Sequence, residues 1–302
     1  MNKKAIALLT IFLILVPLSL LVMGFFSKNM TEAKLIRKYI GGIRSFWAAE
    51  AGVAETIKNL RSCVYEGECT VAGAIVYENN TYQYNTTITH LDGKYYRIDS
   101  TGAGIESTKK VATVIQLREV YPSKFENAIE TQGDIETSGS ACINPEGSAK
   151  PFSALDFEKL FGVAKEEVKM HADYQYVNPP NNVQPCDGIT WVELSEDNQF
   201  RITDHNWRGK GILVIDGDAV IDVDATITGG KFDGIIYITG ELEIPAGNPV
   251  LSGTVLVEDS VTDVTKLLGN LEINYDPAKI EEALNLLSFI SPHRVAWWEQ
   301  NN

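Results

Sequence analysis

The residues best suited to chemistry form a short acidic run, "DGDAVIDVD", with Asp216, Asp218, Asp222 and Asp224, and with Asp233 nearby. Clustered carboxylates of this kind could ligate Ca²⁺ or serve as the paired acid and base of a glycosidase. The run lacks the spacing of an EF-hand loop, and Asp-Gly-Asp is ordinary turn chemistry, so these are read as solvated turn acids. His90, His171, His205 and His293 are scattered, and none stands at metal-ligand spacing with a cysteine. A zinc site drawn from Cys142, Cys186, His171 and His205 is set aside on that ground. No phosphate loop, dinucleotide fingerprint or nucleophile elbow occurs. The sequence thus predicts no catalytic residue, no cofactor, no metal and no enzyme.

Charge narrows the partners. Residues 1–62 hold nine Lys/Arg and three acids, whereas residues 63–302 hold 17 basic and 37 acidic residues. An acidic globular part argues against nucleic acid. Four cysteines, Cys63, Cys69, Cys142 and Cys186, are an even set. Behind a membrane anchor they suggest two disulfides outside the cytoplasm, with three connectivities open. Proximity favours Cys63–Cys69 and leaves Cys142–Cys186 for the second bond; four reduced thiols are the alternative.

The anchor is Ala5 to Phe26, AIALLTIFLILVPLSLLVMGFF, 22 residues without a charge. As a helix this run is about 33 Å long, enough to span hydrocarbon, and it is longer than the apolar core of a secretory signal. Pro17 would kink it. The flanking charges conflict with the cysteines. Lys28, Lys34, Arg37, Lys38 and Arg44 follow the span and only Lys3 and Lys4 precede it, which alone would place the rest of the chain in the cytoplasm.

Beyond the span the apolar pattern continues as Ile36, Ile40, Ile43, Phe46, Ala49, Val53, Ile57 and Leu60, in steps of three or four. This is one stripe of a helix, weakened but not shifted at Gly41-Gly42. A helix of about 55 residues is therefore expected to run from the membrane to Ser62, with a stripe that something must cover. The basic start, the apolar span with a Pro in its second half, and "FWAAEAGVAETIKNL" resemble type IV pilin-like proteins, most closely the PilX-like minor pilins and related pseudopilins. The resemblance covers roughly residues 1–120. It implies that the stripe packs on a small antiparallel sheet and among helices of other subunits. It also implies that the soluble part is periplasmic or extracellular. "MNKKAIALLTIF" has neither the small residue that ends a prepilin leader nor the Glu that follows it, so the resemblance does not extend to leader processing or to the charge pairing that Glu supports.

Ala74–Tyr77, Thr81–Thr89, Tyr95–Thr101 and Lys110–Val120 alternate in Val, Ile, Thr and Tyr and predict three or four antiparallel strands. Further on, "GITWVELS", "GILVIDGD", "GIIYITGE" and "GTVLVEDS" start at Gly188, Gly211, Gly234 and Gly253. A Gly, four β-branched or aromatic residues and a polar turn repeat about every 20 residues, as coils of a parallel β-solenoid do. "AIETQGDIETSGSACI" from Ala128 reads as an earlier, imperfect coil. This region resembles the β-helical half of some PilX-like envelope proteins and, more loosely, the bactofilins. "SALDFEKLFGVAKEEVKM" reads as one helix with Ser153 as N-cap, and "YVNPPNNVQP" as a loop. "DPAKIEEALNLLSF" predicts a helix with Asp276 as N-cap, Pro277 in its first turn and Ile280, Leu284 and Leu287 on one face, covering the open edge of the solenoid.

The expected architecture is mainly β (α+β), in four parts. They are a transmembrane and amphipathic helix over 1–62, a pilin-like sheet over 63–122, a solenoid over 123–275 with an insertion at about 151–185, and a C-terminal helix and tail over 276–302. The expected role is a membrane-anchored, pilus-like envelope protein in assembly or adhesion. Its partners would be the membrane, other pilin-like subunits or assembly proteins, and a surface polysaccharide. A carbohydrate-active enzyme or a bactofilin-like scaffold are the alternatives.

Overall fold

The computed structural model describes residues 3–66, 69–104, 107–119, 125–151, 156–195, 198–223, 230–260, 264–290 and 292–300. The chain divides into two units, residues 1–116 with 294–302, and residues 117–293. It is mainly β with a long N-terminal helix, an antiparallel sheet, a parallel β-solenoid of about six turns and a C-terminal helix, the architecture the sequence predicts.

In the first unit α1 runs unbroken through Pro17 and Gly41-Gly42 from Lys3 to Lys58, 56 residues. A short continuation of about two turns, α2 (Leu60–Glu66), carries Cys63, which is bonded to Cys69. Four strands follow as a meander: β1 (Thr70–Tyr77), β2 (Asn80–Asp92), β3 (Tyr95–Ala103) and β4 (Thr108–Gln116). Glu78 and Asn79, both at positive φ, make the tight turn between the first two. The sheet has a fifth strand that the sequence placed in the tail: β19 (His293–Gln300) pairs beside β4, giving the order β1-β2-β3-β4-β19.

The helix sits on this sheet through small residues. Ser45, Ala48, Ala49, Val53 and Thr56 are fully buried, and Gly52 lies among them. A Cβ on Gly102 of β3 would stand 1.9 Å from the Ser45 carbonyl oxygen and 2.5 Å from the Ala49 nitrogen. The sheet backbone therefore touches the helix backbone, an approach that only glycine opposite Ser and Ala permits. Thr86 donates to Ser100 at 3.0 Å beneath the helix, so the polar atoms in this dry contact are paired.

The second unit is the solenoid. Its long strands β10 (Cys186–Glu193), β12 (Arg208–Asp216), β14 (Lys231–Ile238) and β16 (Val250–Val257) stack in parallel with Gly188, Gly211, Gly234 and Gly253 in one register row. All four glycines have positive φ, and a Cβ on Gly234 would meet the Gly211 oxygen at 2.1 Å. The row is thus fixed by backbone contact from turn to turn. Beyond it the side chains alternate. Leu213, Ile215, Ile236, Ile238, Val255 and Val257 point to the interior, where they meet Phe200, Ile202, Ile221 and Ile244 of a second sheet. Ile212, Val214, Ile235, Tyr237 and Leu256 point to the other face, which helices cover. Burial on both faces is why these strands read as unbroken apolar runs. The second sheet, with β11 (Gln199–Ile202), β13 (Asp218–Asp222), β15 (Leu242–Ala246) and β17 (Val264–Leu267), has one open face, and β11 alternates accordingly.

Three features depart from the sequence reading. The segment from Ala128 is not the first turn in space but the last. There β5 (Ile129–Thr131) pairs with β16 and β6 (Asp134–Thr137) with β17, while β7 (Cys142–Asn144) pairs with β18 (Glu272–Tyr275). Then β8 (Ala149–Pro151) pairs with β5. The chain enters at one end, runs to the other, and winds back to meet its own beginning. Asp259 ties the join, accepting from Thr131 at 3.0 Å and the Gly133 amide at 2.9 Å. Second, the insertion holds two short helices, α3 (Phe157–Phe161) and α4 (Lys165–Met170), instead of one. Gly162 at φ 71° ends the first. Ser153 lies outside the described residues, and Asp156 is the N-cap of α3. Overlapping the first two residues of the predicted loop, β9 (Tyr174–Val177) is a strand pairing with β10. Third, α5 (Pro277–Leu287) is capped by Asp276 and buries Ile280, Leu284 and Leu287 as predicted, and what it covers is the outer face of the long-strand sheet.

Candidate assembly surface

The eight residues of the predicted helical stripe do not share one environment. Ala49, Val53 and Leu60 are buried, the first two against the sheet, and Phe46 and Ile57 are half-buried. Ile36, Ile40 and Ile43 are exposed at 59%, 40% and 42%. With 3.6 residues per turn, the buried line through Ser45, Ala49, Gly52, Val53 and Thr56 and the exposed line through Leu35, Ile36, Tyr39, Ile40, Ile43 and Trp47 are centred roughly 140° apart. The pattern that looked like one stripe is two. The rear line faces the chain's own sheet, and the front line faces away from it. The sequence reading missed Ser45, Ala48, Gly52 and Thr56 as contact residues because it weighed Ile above Ala, Gly and Ser. The three- and four-residue spacing of small residues in "SFWAAEAGVAET" was the available signal.

Two hollows flank the exposed ridge. On the β1 side, Ile40, Ile43, Arg44, Trp47, Ile75, Tyr77 and Tyr82 line a largely apolar groove of about 360 Å³. Arg44 forms its polar wall. Its guanidinium lies 4.3 Å from the Tyr77 ring centroid, donates to Glu78 at 2.7 Å and reaches the Tyr82 hydroxyl at 3.3 Å. The Tyr82 bond, helped by Glu78, raises its pKa further. On the β19 side, Lys38, Tyr39, Gly42, Ile43 and Phe46 line a second hollow with Lys109 and Glu299, which pair with each other. Phe46 meets Trp297 edge-on at 6.0 Å, and Trp297 donates to Glu50, which also faces Arg294 at 3.6 Å. These contacts fix β19 beside the helix and leave the ridge itself bare.

The cysteines correct the second predicted bond. Cys63 and Cys69 are joined, but Cys142 and Cys186 are free thiols. Cys142 is on β7 and Cys186 on β10, five strand spacings apart in the sheet order, roughly 24 Å. No local movement brings them together. Cys186 is buried, and desolvation pushes its thiol up to about 11.

The aspartates take turn roles. Asp216 accepts from Thr239 at 3.0 Å and Asp218 accepts from the Glu241 amide at 2.9 Å, each tying one turn to the next. Asp222 ends β13, Asp233 pairs with Lys231 at 3.3 Å, and Asp224 lies outside the described residues. Of the histidines, His90 contacts the Gly93 carbonyl, His171 the Glu167 carbonyl and His205 Asp204, and His293 opens β19. Among the described residues no group of three or more His, Cys, Asp or Glu is placed to hold a metal ion.

No family model and no curated protein matches the chain. Among solved structures it is similar to the competence-associated pilin ComZ from Thermus thermophilus, at 10% identity and a TM-score of 0.27, over 86% of this chain and 98% of that one. What this chain does has to be read from its own helix, sheet and coils.

Proposed function

We propose that the chain is a membrane-anchored subunit of a type IV pilus-like assembly, of the minor pilin or pseudopilin kind and PilX-like in its N-terminal region. The observation that carries this is the bare apolar ridge of Ile36, Tyr39, Ile40, Ile43 and Trp47, on a helix continuous with a 22-residue apolar run. An exposed apolar ridge that faces away from the chain's own sheet calls for other helices. The first half of the helix is the anchor, and the ridge packs among helices of neighbouring subunits. The solenoid is a rigid, acidic body carried on the outer side of the membrane, periplasmic or extracellular, as a surface for assembly or adhesion, with a polysaccharide as a fitting ligand and no turnover. The Cys63–Cys69 bond supports that side of the membrane. The two free thiols favour a bactofilin-like cytoplasmic scaffold, a reading that leaves the bonded pair unexplained.

A photo-crosslinking residue in place of Trp47, introduced into the full chain in its native host, tests the proposal. The expected adduct is with a second membrane-anchored chain through that chain's apolar N-terminal helix. Adducts with lipid alone, or with soluble proteins alone, would overturn it.

A further inference from the structure

One signal in the sequence has no place in that assembly role, namely the positive charge that follows the span. Lys28 pairs with Glu32 at 3.9 Å, and Arg44 is held by Glu78 and Tyr82. Lys34, Arg37 and Lys38 are exposed, and among the described residues no acid pairs with them. We infer that Lys34, Arg37 and Lys38 form a collar that binds the headgroups of anionic phospholipids. The inference rests on the anchored reading.

Three observations place the collar. Lys34 follows Phe26, the last residue of the apolar run, by eight positions, about 12 Å along the axis, and Lys38 by about 18 Å. Side chains on a helix lean toward its N-terminus, here toward the bilayer, and long basic side chains keep their charge at the interface while their stems lie along apolar surface. The headgroup layer itself extends about 5–7 Å beyond the hydrocarbon, so Lys34 reaches it and Arg37 and Lys38 stand within a screening length. Third, the three residues lie on the same line of the helix as the sheet-facing Ser45, Ala48 and Gly52; Lys34 and Arg37 stand about one to two turns before Gly41, and Lys38 lines the hollow with Tyr39, Lys109 and Glu299 at the near edge of the sheet. Ser107 lies beside Gly41 and Lys109 beside Gly42. The ridge that meets other helices is centred on the opposite side.

The full chain, reconstituted in nanodiscs of phosphatidylcholine with about 30% phosphatidylglycerol, supplies the test through the lipids it retains on native mass spectrometry. Each basic residue at an anionic surface is expected to enrich phosphatidylglycerol by up to about fivefold, and the enrichment should vanish at about 0.5 M salt. The K34Q/R37Q/K38Q chain should retain lipid in the bulk ratio while inserting as before. Equal ratios for the two chains would overturn the inference and leave the anchor standing. Loss of copy-to-copy crosslinks by the variant in pure phosphatidylcholine would overturn it too, naming an acidic surface of a second copy as the true partner. Failure of the parent chain to insert at all would sink the anchored reading itself.

Discussion

The two units bury their apolar surface differently. In the solenoid, large side chains fill both sides of the long-strand sheet. Phe200, Ile221 and Ile244 lie within, while Phe157, Phe161, Leu284 and Leu287 lie without, so both faces of the long strands are covered. In the helix-and-sheet unit, small residues bring two backbones into contact on one side, while Ile36, Tyr39, Ile43 and Trp47 stay bare on the other. A self-sufficient core needs no partner, and a helix that contacts its own sheet through Ser, Ala and Gly keeps its large side chains for something else.

The largest effects should come from the backbone contacts that hold each unit. Gly234→Ala puts a Cβ 2.1 Å from the Gly211 oxygen at a φ of 137°, and should destabilise the solenoid by more than about 3 kcal/mol in thermal or urea unfolding. Gly102→Ala should prise the helix from the sheet at a cost of roughly 2–4 kcal/mol, leaving the solenoid transition in place. A single shared loss in both transitions would remove the distinction drawn between the units.

Leu284→Ala empties a buried site between α5 and the outer face of the long-strand sheet and should cost about 2–5 kcal/mol. Asp259→Ala removes the acceptor that joins the first-entered strands to the last-wound ones, leaving Thr131 and the Gly133 amide without it. About 1–3 kcal/mol should be lost, together with hydrogen-exchange protection over residues 129–137. Ile43→Asp lies at the other extreme. Its site is exposed, so unfolding should shift by no more than about 0.5 kcal/mol, while association between subunits should be lost.

Legibility followed the same division. The solenoid's glycine row and apolar strands were plain because each turn repeats the same backbone demand. The order of the turns was not, since the pairing of Ile129–Thr131 with Val255–Val257 joins residues more than a hundred positions apart and leaves no local mark. The same distance hid the partner of β19: "HRVAWWEQ" reads as a strand or packing segment, and nothing nearby in sequence marks its pairing with β4. The helix was legible as a helix. Its two faces were not, because Ala49 and Val53 follow Ile40, Ile43 and Phe46 at helical spacing, and only the sheet's position separates them. The predicted Cys142–Cys186 bond failed for want of the spatial order of the strands.

A thiol count has the smallest expected effect and sharpens the topology. The native chain should react at Cys142 alone, the unfolded chain at Cys142 and Cys186, and the reduced unfolded chain at all four cysteines. Protection of Cys142 in the native chain would place it in a contact that the fold does not provide.

The central claim is that the front of the helix offers one face to other subunits. Single cysteines placed in turn from Lys34 to Trp47, in the full chain carrying Cys142→Ala, can be crosslinked between copies in the membrane. The account predicts strong crosslinking at positions 36, 39, 40, 43 and 47 and weak crosslinking at 34, 38 and 45, a helical period set by the bare ridge. A flat profile, or maxima at 34, 38 and 45, would contradict it.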